Sequence, residues 1–184
     1  MITPGTALPE ALFSTSKEFF KNGESLYMLF NGSVTELKEL PSDYYKLLKQ
    51  KIDLDKNAQK GLDILRIFSE NERVYQFFEC NYASFDPACD VLRHGQLGAT
   101  EFVDCSKRDV CKAQGFLCTI PAGLSRRELQ VARRIALGEM DAQICAELEI
   151  TQSTLRNHKN NIELKIGSTG KIAIGVWAVK NKIV

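Results

Sequence analysis

Apolar residues near the start of the chain fall in short runs, and further on they recur at helical spacing. Leu26-Tyr27-Met28-Leu29-Phe30 and Ser33-Val34-Thr35-Glu36-Leu37 flank Asn31-Gly32. Asn-Gly accepts positive φ at both central positions, so this stretch predicts a tight hairpin. Residues 1–20 read as a lead-in ending in a short helix from Ser16 to Phe20. Pro41-Ser42-Asp43 opens a helical stretch carrying Tyr44, Leu47 and Leu48. Further helices are predicted at about Asn57 to Phe68 and Asn71 to Phe78. The sequence contains no internal repeat and no low-complexity tract.

The last third predicts four helices. Ser125 and Glu128 have capping-box spacing, and Leu124 and Leu129 occupy the staple positions around it. Val131, Ala132, Ile135 and Ala136 continue an apolar stripe that Gly138 ends. Asp141 is placed to cap a short helix with Ile144, Cys145 and Leu148 on its core side. Thr151 is placed to cap a longer helix over 152–166, ended by Gly167. A fourth follows Ser168-Thr169-Gly170, with Ile172, Val176 and Trp177 available for packing.

A short helix, a tight turn and a longer helix make a helix-turn-helix, in which the first helix braces the second in the DNA major groove. At 100° per residue, Leu155, Ile162 and Ile166 share the inner face of helix 152–166. Ser153, Asn157 and Asn160 lie opposite, with Arg156 at the edge. Arg can donate two hydrogen bonds to guanine and Asn can pair with adenine. Thr151, Ser153 and Thr154 bring hydroxyls and helix-start N–H groups to a phosphate. Leu164 also points outward and fits this reading poorly, so the end of this helix is expected to rest on something other than DNA.

Charge supports this division. The 184 residues carry a net +1, but residues 121–184 hold ten Lys/Arg against six Asp/Glu, and residues 1–120 hold fourteen against seventeen. A basic C-terminal third suits an anionic partner such as double-stranded DNA. The near-zero total excludes a uniformly basic nucleic-acid coat. The longest apolar run, Ile172 to Val179, is far below the ~20 residues of a membrane span. No signal-peptide pattern opens the chain, so a cytoplasmic, reducing location is expected. No Gly-x-Ser-x-Gly elbow accompanies the two His, and an enzyme is not expected.

Cys80, Cys89, Cys105, Cys111 and Cys118 crowd into 39 residues. Four thiolates satisfy a tetrahedral structural zinc. Cys105, Cys111 and Cys118 supply three ligands from one loop-rich segment containing Asp104 and Gly115. Cys80 is the preferred fourth, Cys89 the alternative and His94 a reserve. Cys80 to Asp86 and Glu101 to Cys105 are read as short strands bringing two ligands together. An iron–sulfur cluster would use the same thiolates, and plain burial of the thiols is the competing reading. Cys145, Glu128 and Trp177 are read as packing or capping residues. His158 is read as packing with a hydrogen bond rather than as a DNA contact. The Arg126-Arg127 and Arg133-Arg134 pairs stay open between solvated charge and phosphate contact.

From Leu124 to Trp177 the chain resembles the LuxR/NarL-type helix-turn-helix of bacterial transcription regulators. The resemblance rests on Leu124-Ser125-x-Arg127-Glu128, Val131, Ile135-Ala136, Gly138, Ile144-x-Ala146-x-x-Leu148, Ile150-Thr151-x-x-Thr154-Leu155-Arg156-Asn157-His158, Asn161-Ile162 and Lys165-Ile166-Gly167. It implies base-facing roles for Arg156, Asn157 and Asn160, phosphate contacts from Lys159 and Lys171, and a homodimer through the C-terminal helix. Leu155 stands where the family usually has Val. Upstream, neither a phosphoacceptor receiver pattern nor the length of an acyl-homoserine-lactone sensor is present. The Cys-rich segment resembles one found upstream of this motif in regulators of some bacteria and their phages.

The expected fold is mainly α. A small N-terminal α+β domain (1–79) leads through a Cys-rich metal knot and linker (80–120) into a four-helix DNA-binding domain (121–184). The expected function is sequence-specific transcription regulation. The alternatives are an adaptor docking RNA polymerase or another regulator, and a thiol- or metal-based redox sensor. The absence of a Cys-x-x-Cys pair counts against a thioredoxin-like version of the latter.

Overall fold

The computed structural model describes residues 9–103, 105–108, 110–181 and 183–184. The chain forms two compact units. One comprises residues up to Val103 together with Phe116–Thr119, and the other comprises Asp104–Gly115 together with Ile120–Val184. Among the described residues, no helix is long and apolar enough to cross a membrane.

The first unit joins a three-stranded antiparallel sheet to three helices. The strands are β1 (Lys17–Asn22), β2 (Ser25–Phe30) and β3 (Ser33–Leu37), in the order β1-β2-β3. The expected hairpin joins β2 and β3. Asn31 and Gly32 have φ of 48° and 74°, and Phe30 pairs with Ser33 across the turn. The helix expected at Ser16 to Phe20 is instead part of β1, where Phe19 pairs with Met28 and Phe20 with Tyr27. Two adjacent aromatics suit a strand once a partner is available, and that pairing is not local in sequence.

Helix α1 (Ser42–Leu54) buries Tyr44, Leu48 and Ile52, one turn apart. Helix α2 (Lys56–Ile64) is capped by Asp55, whose carboxylate accepts from the N–H groups of Asn57 and Ala58 at 2.9 and 3.0 Å. Helix α3 (Glu70–Asn81) buries Val74, Phe77 and Phe78. The sheet meets the helices through an aromatic core. Phe19 of β1 stacks on Tyr44 of α1 at 4.1 Å, and Phe78 and Tyr82 approach Tyr44 edge-on. Burial of each such side chain contributes about 1.5–3 kcal/mol.

Residues 82–103 form no ladder beyond the isolated bridges Lys17–Val91 and Val91–Leu97. The strands expected at Cys80 to Asp86 and Glu101 to Cys105 are absent from the described residues: Cys80 and Asn81 are the last residues of α3. The segments still meet, since the Glu101 N–H donates to the Asn81 carbonyl at 2.9 Å. Asp104, expected in a turn, lies outside the described residues. Leu117 packs against α2 at Gly61, where a Cβ would lie 2.7 Å from the Leu117 Cβ. Asn81 fastens this approach by donating from Nδ2 to the Leu117 carbonyl at 2.8 Å.

The second unit contains the four expected helices: α4 (Arg126–Ala136), α5 (Asp141–Leu148), α6 (Gln152–Ile166) and α7 (Lys171–Lys180). Helix α4 packs on α6 and α7, and α5 packs on α6. Leu124, Leu129, Val131, Ala132, Ile135, Ile144, Leu148, Leu155, Ile162, Ile174 and Ala178 form the core. The capping box is present: Glu128 N–H donates to Ser125 Oγ at 3.3 Å and Ser125 N–H to Glu128 Oε2 at 2.6 Å. Gly138 (φ 82°) and Gly167 (φ 66°) take the left-handed conformation just past α4 and α6, where a Cβ is unfavourable. The expected cap at Asp141 is displaced by one residue. Met140 is the N-cap of α5, Asp141 is the first helical residue, and Gln143 reaches back to accept from the Met140 N–H at 2.8 Å.

Candidate nucleic-acid interface

Three residues, Glu149-Ile150-Thr151, turn the chain from α5 into α6. Glu149 adopts φ 52° and ψ 46°, and the Ile150 N–H closes the end of α5 on the Cys145 carbonyl at 3.0 Å. Thr151 then caps α6, its Oγ1 accepting from the Thr154 N–H at 3.2 Å. The hydroxyls of Ser153 and Thr154 lie 3.2 and 2.9 Å from Thr151 Oγ1. A hydroxyl cluster thus surrounds a helix start whose N–H groups carry partial positive charge.

Leu155 and Ile162 are buried beneath α6, anchoring it to α4 and α5, while Ile166 is half-buried. On the other side Ser153, Arg156, Asn157 and Asn160 are exposed. The helical-wheel reading of this helix therefore matches the burial pattern. Leu164 is 81% exposed, outward as the wheel predicted, and His158 is half-buried.

The basic residues divide into two groups. Lys159 donates to Asp141 Oδ2 at 2.6 Å, and Lys171 donates to Asp141 Oδ1 at 3.0 Å and to the Glu139 carbonyl at 2.8 Å. The two expected phosphate contacts therefore converge on one carboxylate, which ties α5, α6 and α7 together. Hydrogen bonds from Lys159 and then Lys171 hold the Asp141 carboxyl below its ordinary range. Spacing alone could not reveal this bridge, because the three residues belong to three helices. Arg127 donates to the Leu148 carbonyl at 2.8 Å, satisfying the end of α5, and Arg134 pairs with Glu139 at 3.0 Å. These two arginines have internal structural partners. Arg126 is exposed at the start of α4.

The cysteines are divided between the units. Cys80, Cys89 and Cys118 belong to the first, and Cys105, Cys111 and Cys145 to the second. Within neither unit do three thiols converge among the described residues, and no disulfide is present there. Cys89 is buried with Ala11 and Leu29, beside Leu12 and Phe20, and burial raises its thiol pKa above the ordinary value. Among the described residues, the group of potential ligands that does converge is Glu18, Asp86 and Glu101. The charge pattern of the sequence gave no hint of it, because its members are 68 and 15 positions apart along the chain.

Residues 122–178 match the family described as bacterial regulatory proteins, luxR family. No curated protein and no solved structure matches the chain. The matched stretch contains all of α4, α5 and α6, and α7 as far as Ala178. Residues 122–178 of the second unit are thus similar to the luxR family of bacterial regulatory proteins, which supports a DNA-binding role in transcription regulation.

Proposed function

We propose that the protein regulates transcription by reading a specific DNA sequence with α6 in the major groove. Arg156, Asn157 and Asn160 would meet base edges. Thr151, Ser153 and Thr154 would hold a phosphate at the helix start. The single observation carrying this reading is the exposed face of α6, on which one guanidinium and two amides stand opposite the buried Leu155 and Ile162. Binding-site selection from random duplexes with the full chain, followed by footprinting, tests it. An enriched motif protected at the selected site is the expected result. Retardation without enrichment at any salt would defeat sequence reading.

Asp141 sets how many cations are available to the phosphates. Asp141→Asn removes the charge holding Lys159 and Lys171. Log affinity should then fall more steeply with log salt, by about 0.9 for each lysine that gains a phosphate. Titrations across a salt series check this; an unchanged slope would mean that neither lysine approaches the backbone.

A homodimer through α7 extends the proposal. Ile172, Val176 and Val179 form an exposed apolar stripe one turn apart, 83%, 49% and 57% accessible. Ile172→Glu should turn a dimer into a monomer in sedimentation, with loss of binding to a two-half-site operator. A wild-type monomer on DNA would remove the dimer.

The exposed Leu164 favours a second reading, an adaptor whose α6 end docks RNA polymerase or another regulator. Failure of site selection, together with polymerase binding lost in Leu164→Ala, would favour it.

A zinc site on Cys80, Cys105, Cys111 and Cys118, with Cys89 as alternative, is a separate proposal resting on cysteine density over residues 80–118. About one zinc per chain, lost in Cys105→Ser, would support it. A zinc-free protein with every thiol titratable would end it.

A further inference from the structure

The first unit contains a cleft that the DNA-reading proposal does not use. It encloses about 560 Å³, within the size range of small-ligand sites. One wall is a single cross-strand row of the sheet: Lys21 of β1 lies opposite Leu26 of β2, and Leu26 lies opposite Leu37 of β3. A row crossing three strands is about 10 Å long, or two strand spacings. The facing wall comes from α3, where Tyr75, Phe78 and Glu79 share one helical face at positions i, i+3 and i+4. Leu26 and Phe78 are both buried and make the floor of the cleft apolar.

The charged groups of this cleft lie toward its two ends. Lys21 Nζ donates to Glu79 Oε1 at 2.8 Å, so these two charges satisfy each other. Glu24 lies in the turn between β1 and β2, and Glu36 and Lys38 lie at the β3 end. Among the described residues, the side chains of Glu24, Glu36 and Lys38 have no ion-pair or hydrogen-bond partner. The Tyr75 hydroxyl accepts from the Leu40 N–H at 3.0 Å, while its own O–H has no acceptor among the described residues. The cleft thus offers a free carboxylate at one end, a free ammonium beside a carboxylate at the other, and a hydroxyl donor on the helix wall.

We propose that this cleft binds a free peptide of two or three residues. An extended chain advances about 3.3–3.6 Å per residue, so a peptide of that length spans the row. Its ammonium meets Glu24 and its terminal carboxylate meets Lys38, both as charge-assisted hydrogen bonds. An apolar side chain rests on the floor of Leu26 and Phe78, and a peptide carbonyl accepts from the Tyr75 hydroxyl. Glu36 is left to accept from an amide N–H of the peptide. A single amino acid is too short to reach both ends, and a ligand carrying one sign of charge leaves one end unmatched.

Calorimetric titration of the full chain with the tripeptides Ala-Leu-Ala and Ala-Phe-Ala tests this. No DNA is present, so the result stands apart from the DNA-reading proposal. Saturable binding of at least one tripeptide is expected. N-acetylation or C-terminal amidation should weaken it at least about 5-fold, since each removes one charged end. Lys38→Gln should weaken the unmodified peptide by a similar factor but leave the amidated one nearly unaffected, because an amide presents no charge to Lys38. Glu24→Gln should show the same selectivity between the unmodified and N-acetylated peptides. Lys51→Gln, an exposed residue of α1, which does not line the cleft, should change nothing. Three results would each overturn the proposal: no saturable binding of either tripeptide, equal binding of free and blocked peptides, or tighter binding of free leucine than of both tripeptides.

Discussion

Arg156→Ala should reduce affinity for the selected operator by about 5- to 150-fold, or about 1–3 kcal/mol, and relax the sequence requirement at one base pair. The reasoning begins with exposure. Arg156 stands in solvent on the outer face of α6, one turn from the helix start that Thr151 caps. A guanidinium there can donate to both acceptors of a guanine, so its removal leaves base-edge groups without partners at that position alone. Its charge adds a smaller, sequence-independent part that salt screens. Selection repeated with the variant separates the two. One position should lose its preference while the others keep theirs, and affinity for unrelated duplex should change by much less than affinity for the operator. Equal weakening on every sequence would make Arg156 a phosphate contact. Asn160→Ala, one turn further along, should relax a different position, and the two losses should add if each side chain reads its own base pair.

The second unit was legible because its rules are local. A capping box, two left-handed glycines and an apolar stripe are set by residues three to five apart, and α6 begins and ends where Thr151 and Gly167 predicted. The orientation of Arg156, Asn157 and Asn160 followed from the same periodicity. What sequence could not supply was any interaction joining separate elements. The Asp141 bridge to Lys159 and Lys171 spans three helices. Strand β1 was misread because Phe19 and Phe20 are placed by pairing with β2 and by stacking on Tyr44, not by neighbours in sequence. The cysteine density carries the zinc proposal, while among the described residues Glu18, Asp86 and Glu101 converge from β1 and an irregular stretch that no local pattern announces.

Glu128→Ala should destabilise the second unit by about 2 kcal/mol near neutral pH, lowering its melting temperature by roughly 10 °C. Glu128 is nearly buried, and its Oε2 accepts from both the Ser125 N–H and Lys165 Nζ, each at 2.6 Å. One carboxylate thus closes the start of α4 and ties it to the last turn of α6, the end of the helix proposed to read DNA. Loss of the cap supplies most of the effect. Lys165 stays partly hydrated, so its lost ion pair adds less than a fully buried pair would. Burial alone would raise the pKa of this carboxyl, but the Lys165 hydrogen bond and those from Ser125 outweigh it and leave the pKa below the ordinary value. The sign of the pH dependence follows. The unfolded chain takes up a proton near the ordinary glutamate value, about 4.3, while the folded chain resists until lower pH. The stabilisation is therefore complete above that value and is lost as pH falls through the folded pKa. Trp177 is the only tryptophan and lies half-buried in α7, so its fluorescence reports unfolding of this unit. Melting followed at Trp177 should show the wild-type advantage over Glu128→Ala shrinking as pH drops below 4.3. Glu128→Gln, which keeps an oxygen for the Ser125 N–H, should cost less and show a flatter dependence. A gap between wild type and Glu128→Ala that stays constant down to low pH would mean that the carboxylate's charge contributes nothing, leaving only the shape of the cap.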